Sequence, residues 1–247
     1  MITYAMSLRL LTVVSLLLMA CATARADDPP PGWSGDAAAG LSLTRGNSDT
    51  KNVNLALNLA QRLSATNVVK YDAFYLRSDT NGDLTVDRTV FGARDEVAFS
   101  ALTYAFADAH FLRDHFKEID YLVTPTVGIG HHIIKRDDLD VAVEGGAGAL
   151  LEKDSGFART TSGALQAKQL LTWKFSPTAS FGETAAGLWK ANQLGDALYH
   201  LEAWLASSLT PKTQLKLSAL DDYKTRPRRA GIKKNDVSIL AALAMKF

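Results

Sequence analysis

The residues best suited to chemistry are few and scattered along the 247-residue chain. His131 and His132 form the one adjacent imidazole pair. Two imidazoles can hold a metal ion, but neighbouring residues of a strand point to opposite faces, so regular backbone cannot aim both at one ion. They read better as polar residues at an interface. His110, His115 and His200 lack the Cys, His or carboxylate spacing of a metal site. The stretch GNSDTKN sets Asn47, Ser48, Asp49 and Thr50 in a loop, where they could meet a carbohydrate or a cation. The simpler reading is a turn whose side chains bond their own backbone. KTRPRRAGIKK gathers Lys224, Arg226, Arg228, Arg229, Lys233 and Lys234 into one basic loop. Guanidinium groups there could take phosphate oxygens in pairs, or the loop could simply be solvated. GIGHH and EGGAGA resemble phosphate loops only in composition, because neither leads into a helical pattern. Their glycines suit bends, or close approach of bulky neighbours.

The elements that would position these residues are strands. Trp33, Ala37, Ala39, Leu41 and Leu43 alternate with Ser34, Asp36, Ser42 and Thr44. Val53, Leu55, Leu57 and Leu59 alternate with Asn52, Asn54 and Asn58. On a helix such a spacing of two would spread the apolar set around most of the circumference, and three asparagines would disfavour helix. The third segment alternates less cleanly, because Phe74 and Leu76 share a face with Lys70 and Asp72. Asn81-Gly82 then marks a turn. Further strands are expected over 86–99, 103–113, 120–133, 139–152, 160–174, 178–189, 198–209, 213–223 and 236–247. The total is about twelve.

The first residues read as an export signal. Leu10 to Ala20 form an apolar core behind Arg9, and Ala24-Arg25-Ala26 is a small-x-small cleavage site. Cleavage after Ala26 is favoured over lipidation at Cys21, the single cysteine. The expected organisation is a signal peptide over 1–26, a short periplasmic segment over 27–32 and one domain over 33–247. A cysteine-free mature chain cannot rely on disulfides. Lys plus Arg is 27 and Asp plus Glu is 26, a balance that argues against a nucleic-acid partner.

Alternation alone does not say which face is dry. A soluble barrel keeps apolar residues inside, whereas an outer-membrane barrel turns them out. Long strands favour the membrane: about 9–11 residues span it at a tilt. So does an apparent alternation of short turns with longer, charged loops at 45–51, 79–85, 114–119, 153–159, 190–197 and 224–235. That alternation also implies an even strand number and two periplasmic termini. The polar faces carry Asn54, Asn58, Lys70, Asp72, Arg88, Asp140, Glu144, Gln166, Lys168, His200, Glu202 and Lys216, which a dry core could not hold unpaired. Trp33, Tyr75, Phe99, Tyr104, Tyr121, Trp173, Trp189, Tyr199 and Phe247 fall near strand ends, as headgroup-level aromatics do. Asp95 and Glu183 break the pattern, sharing the parity of apolar neighbours. A bulge, a place at the interface, or a lipid-facing active site would account for them. No outward Ser–His pair supports the last, so no catalytic, cofactor or metal residue is assigned.

The closing NDVSILAALAMKF alternates to the terminal carboxylate and ends in Phe, as the last strand of outer-membrane proteins does. Gly32 to Arg62, with GNSDT at 46–50, Arg113 to Ile133 and the closing KKNDVSILAALAMKF resemble the YdiY-like proteins, domain of unknown function 481, some of them called salt-induced outer-membrane proteins. The resemblance implies a barrel and an outer-membrane location, and no reaction. Likeness to the outer-membrane class implies that the last strand is read by the barrel-assembly machinery. Together these give a single antiparallel transmembrane β-barrel of outer-membrane type. Its expected role is a structural or stress-related envelope protein, or a narrow small-solute channel, amid outer-membrane lipid and lipopolysaccharide. The alternatives are a lipid- or lipopolysaccharide-modifying barrel enzyme and a soluble periplasmic ligand-binding barrel.

Overall fold

The computed structural model describes residues 32–45, 50–80, 83–115, 117–227 and 231–247. The proposed signal segment, Asn47, Ser48, Asp49, Arg228 and Arg229 lie outside the described residues. Twelve strands follow one another: β1 (Gly32–Arg45), β2 (Thr50–Arg62), β3 (Asn67–Thr80), β4 (Asp83–Ala98), β5 (Thr103–Asp114), β6 (Ile119–Lys135), β7 (Leu139–Asp154), β8 (Thr160–Trp173), β9 (Ala179–Lys190), β10 (Gln193–Ser208), β11 (Thr213–Lys224) and β12 (Asn235–Lys246). Each pairs with its sequence neighbours, and β12 returns to β1, closing the barrel. All the pairings are antiparallel.

Closure explains why the alternation runs to the end of the chain. Ten residue pairs join β1 to β12, from Asp36–Lys246 to Arg45–Val237. Phe247 adds a reciprocal pair beyond them: Gly35 N donates to its carbonyl at 3.0 Å, and its own N–H donates back at 3.1 Å. An unpaired edge would leave backbone groups unsatisfied in hydrocarbon, so the last residues cannot fray.

Four of the turns at the end shared with the termini are built alike. Ser64, Ser100, Ser176 and Thr210 each accept two backbone N–H bonds, the tightest from Asn67, Thr103, Ala179 and Thr213 at 2.9–3.1 Å. A hydroxyl three residues ahead of the next strand thus satisfies donors that the ladder leaves open. The short sequences SATN, SALT, SPTA and TPKT are therefore the same turn written four ways.

The expected asymmetry of loop lengths is not what the structure shows. Thr80 still pairs with Asp83, and Gln193 with Lys190, so two of the supposed long loops are tight hairpin ends. Polar residues read there as loop are strand, carried on as hydrogen-bonded hairpin. Only 225–234 remains long between strands. Among the described residues, irregular register is confined to places near strand ends, between Ser78 and Asp79, Leu112 and Asp114, Ile119 and Tyr121, His132 and Ile134, and Gln193 and Ala197.

The wall is apolar outside. Val53, Leu55, Val127, Ile129, Leu205 and Leu217 all expose about half or more of their surface. Trp33, Phe99, Trp173, Phe175 and Phe247 ring the turn end, and Trp173 and Phe175 pack at 5.4 Å. Towards the loop end Trp189 meets Tyr199 edge-on at 5.8 Å, its indole N–H donating to the phenol oxygen at 3.1 Å, and Tyr199 meets Tyr223. Two aromatic belts bounding an apolar band are what a bilayer of about 25 Å requires of a barrel.

Tyr104 does not belong to these belts. It faces inward, 8% exposed, with its hydroxyl donating to Glu144 at 2.7 Å. Strand ends supply both faces, and alternation around Tyr104 puts it with Phe106 and Asp108. Asp95 and Glu183 do face outward, since neither sits at a register shift. Asp95 lies three residues from the end of β4 and accepts from Asn67 Nδ2 at 3.0 Å, the interface solution.

Candidate functional site: the lumen

Inward-facing side chains divide the lumen into three parts. The first is an ionic cluster on the β3–β8 wall. Arg94 reaches Glu144 with both terminal guanidinium nitrogens, at 2.5 and 3.1 Å, and also Glu96 through Nε at 2.6 Å and Asp108 at 3.3 Å. Its guanidinium carbon stands 4.1 Å over the Phe106 ring. Lys70 pairs with Glu96 at 2.7 Å, Lys168 approaches Glu144 to 3.9 Å, and the Thr126 hydroxyl donates to Asp108. Three cations thus meet three carboxylates, two of them with fully buried side chains. Buried charges survive only with such pairing.

Glycines make the cluster possible. A Cβ at Gly130 would strike the Tyr104 ring, and one at Gly128 would strike Phe106. The two glycines of GIGHH therefore clear space for lumenal aromatics. Gly130→Val is expected to cost about 1–3 kcal/mol by overpacking. Urea titration of the folded barrel in micelles checks it, with Gly145→Val as control, since nothing lies within 4 Å of a Cβ there.

The second part is apolar, and sequence reasoning missed it. Ile119, Leu122, Leu150 and Ala164 form a buried cluster, with Leu112, Leu188 and Leu198 packed on it. The reading of the inward faces as polar is corrected here: the loop-side half of β5–β10 has an oily lining. Above it Glu152 takes Lys190 at 2.7 Å and Lys224 at 2.8 Å. Lys190 also holds Asp196 at 2.7 Å. Lys224, expected in the basic loop, is thus the last residue of β11 and buried in the lumen. Arg226 is exposed, with its guanidinium beside Gly195.

Further ties cross between opposite walls on the same half. Arg88 of β4 bonds Asp222 of β11 at 2.6 Å, and His200 Nδ1 sits 2.8 Å from the other oxygen of that carboxylate. Lys117 reaches Asp236 of β12 at 3.1 Å.

The third part is a cavity of about 450 Å³ lined by Asp36, Asn54, Asn58, Asp72, Arg88, Lys168, Glu202 and Lys216, with Phe74, Leu220 and Leu240 among its apolar walls. An adjoining space of about 410 Å³ shares Asp36, Asn58, Asp72, His110 and Lys168 and runs on to Lys70, Arg94 and Gly35. Glu202 and Lys216 pair at 3.3 Å, and Lys216 stands 5.2 Å over Trp204. Every residue expected from sequence on the polar faces at 54, 58, 70, 72, 88, 144, 168, 202 and 216 is placed inward by these contacts. Phe74 and Leu76 face inward with them, which is why that segment alternates poorly.

The two adjacent histidines separate as strand geometry requires. His132 Nδ1 lies 2.6 Å from Asp140 inside, while His131 Nδ1 lies 3.0 Å from the Thr103 hydroxyl outside.

A closed antiparallel barrel, apolar outside and polar at its centre, is a barrel of the outer-membrane type. The chain belongs to the family described as "Protein of unknown function, DUF481", which matches residues 37–247. Comparison with curated proteins gives no match. Among solved structures it is similar to the NanC porin, with a TM-score of 0.58 at 10% identity over 86% of this chain and 100% of that one. The COG4313 outer membrane channel from Pseudomonas putida F1 gives 0.56 at 14% identity, over 91% and 100%. The KdgM porin gives 0.51 at 9% identity, over 87% and 99%. These likenesses are of fold.

Proposed function

We propose that the protein is a non-catalytic outer-membrane barrel acting as a narrow channel for small polar solutes, closed at its loop end in this conformation. The observation that carries the reading is the polar cavity inside a wall that is apolar at mid-height, with side chains of the described residues reaching across its loop-side end. The names of the NanC and KdgM porins and of the COG4313 channel support it. In this reading residues 1–26 direct export and are cleaved after Ala26, leaving Cys21 unlipidated. Both termini then lie in the periplasm, the barrel-assembly machinery inserts the chain through its last strand, and lipid and lipopolysaccharide surround it. Arg226, with Arg228 and Arg229, would face lipopolysaccharide phosphates, and Asn47, Ser48 and Asp49 the exterior.

Planar-bilayer recording tests the channel. The native barrel should conduct weakly or in rare openings in high salt. Arg88→Ala with Asp222→Ala should raise conductance, because it removes the tie between β4 and β11 without leaving one buried charge behind. A flat trace from the double variant, with folding verified by heat-modifiable gel migration, would remove the channel and leave a filled structural barrel.

A further inference from the structure

The cavity has a donor pole and an acceptor pole. Asp36, Asn58 and Asp72 stand opposite one another across β1, β2 and β3: Asp36 pairs in register with Asn58, and Asn58 with Asp72. Asn58 Nδ2 donates to Asp36 Oδ2 at 3.2 Å. Asp72 leans over Gly92, where a Cβ would strike its carboxylate, and no hydrogen bond or ion pair engages it among the described residues. The six charges around Arg94 balance, as do Glu202 with Lys216 and Arg88 with Asp222; Asp72 lies in the field of Lys168 and His110, yet among the described residues neither Asp36 nor Asp72 forms an ion pair. Towards the loop end the same cavity is lined by Asn54 and Arg88. Asn54 is 2% exposed, and its Nδ2 has no acceptor; neither has Arg88 Nε. A buried donor left unmatched costs about 1–3 kcal/mol, which an incoming acceptor oxygen recovers.

We infer that this cavity binds a small zwitterion of amino-acid or dipeptide size, with its ammonium against Asp36 and Asp72 and its carboxylate towards Asn54 Nδ2 and Arg88 Nε. Phe74, Leu220 and Leu240 take the apolar part between the poles. The inference deepens the channel reading by naming its class of solute, yet binding in micelles does not require conduction.

Titration calorimetry of the whole folded protein with glycylglycine, ethanolamine and acetate tests it. Glycylglycine should bind at least about tenfold more tightly than either half-ligand, since each pole adds about 1.4 kcal/mol or more. Asp72→Asn should weaken glycylglycine by about tenfold and leave acetate no weaker. Asn54→Leu should weaken glycylglycine by about tenfold and leave ethanolamine no weaker. Heat-modifiable migration confirms that each variant is folded. Equal affinity for glycylglycine and ethanolamine, or no binding of any of the three, overturns the inference. Binding by the native protein, together with a flat trace from the opened Arg88/Asp222 variant, would sink the channel alone and leave the site standing.

Discussion

Arg94→Met is expected to destabilise the barrel by about 3–5 kcal/mol, the cost of leaving buried charges without their partner. The arginine contacts Glu96, Asp108 and Glu144, and the last two have fully buried side chains. Methionine fills similar volume over Phe106 but offers no donor. Lys168, 3.9 Å from Glu144, is the nearest substitute and neutralises only part of the deficit. The measurement is reversible urea unfolding in lipid vesicles, followed by gel migration of folded and unfolded forms. Coupling decides whether the loss is electrostatic. Arg94→Met combined with Glu144→Gln should lose clearly less than the sum of the two single changes, because the second change removes one of the three carboxylates that the first leaves without the arginine. Additive losses would mean that Arg94 acts through packing on Phe106 alone. The surface pair Arg136–Asp138 supplies the contrast: both groups are more than half exposed, and Arg136→Met should be nearly silent.

How much of this was readable from the chain depends on the range of each interaction. Period-two patterning is local, and it suffices for twelve strands, their order and the face each residue takes. It also marks the apolar lumenal cluster, though the sign is easily missed. Phe111-Leu112, Tyr121-Leu122, Leu150-Leu151, Leu188-Trp189 and Leu198-Tyr199 are adjacent apolar pairs, so both faces of the strand are oily there. Five strands lose their alternation at one level of the barrel, and five such lapses at one level mean a dry interior rather than five errors of register. Loop lengths misled because Asp, Asn, Gln and Gly mark turns by composition, whereas a barrel can carry them on hairpins projecting past the bilayer. The ties across the lumen lay out of reach. Arg88 and Asp222 are 134 residues apart, and Glu152 and Lys224 are 72 apart. Their meeting depends on strand tilt and stagger, which closure fixes and alternation does not encode.

Leu217→Arg tests the claim on which the lumen itself rests, that hydrocarbon surrounds the barrel. Leu217 is mid-strand in β11, faces outward and exposes half of its surface. Its register partners Leu205 and Ala241 offer no counter-charge. An arginine at bilayer mid-depth costs about 2–4 kcal/mol, falling to about 0–1 near the interfaces. Leu217→Arg should therefore lose about 2–4 kcal/mol in vesicles, and Met245→Arg, outward but beside the turn end, about 0–1. Lys216→Arg, one residue away and facing the lumen beside Glu202, should change little, because the charge and its partner remain. A soluble barrel would reverse the order: Leu217→Arg would be harmless on a wet surface, and the lumenal position would be the sensitive one. Equal tolerance at 217 and 245 would leave no apolar band, and with it would go the reason for a polar cavity inside.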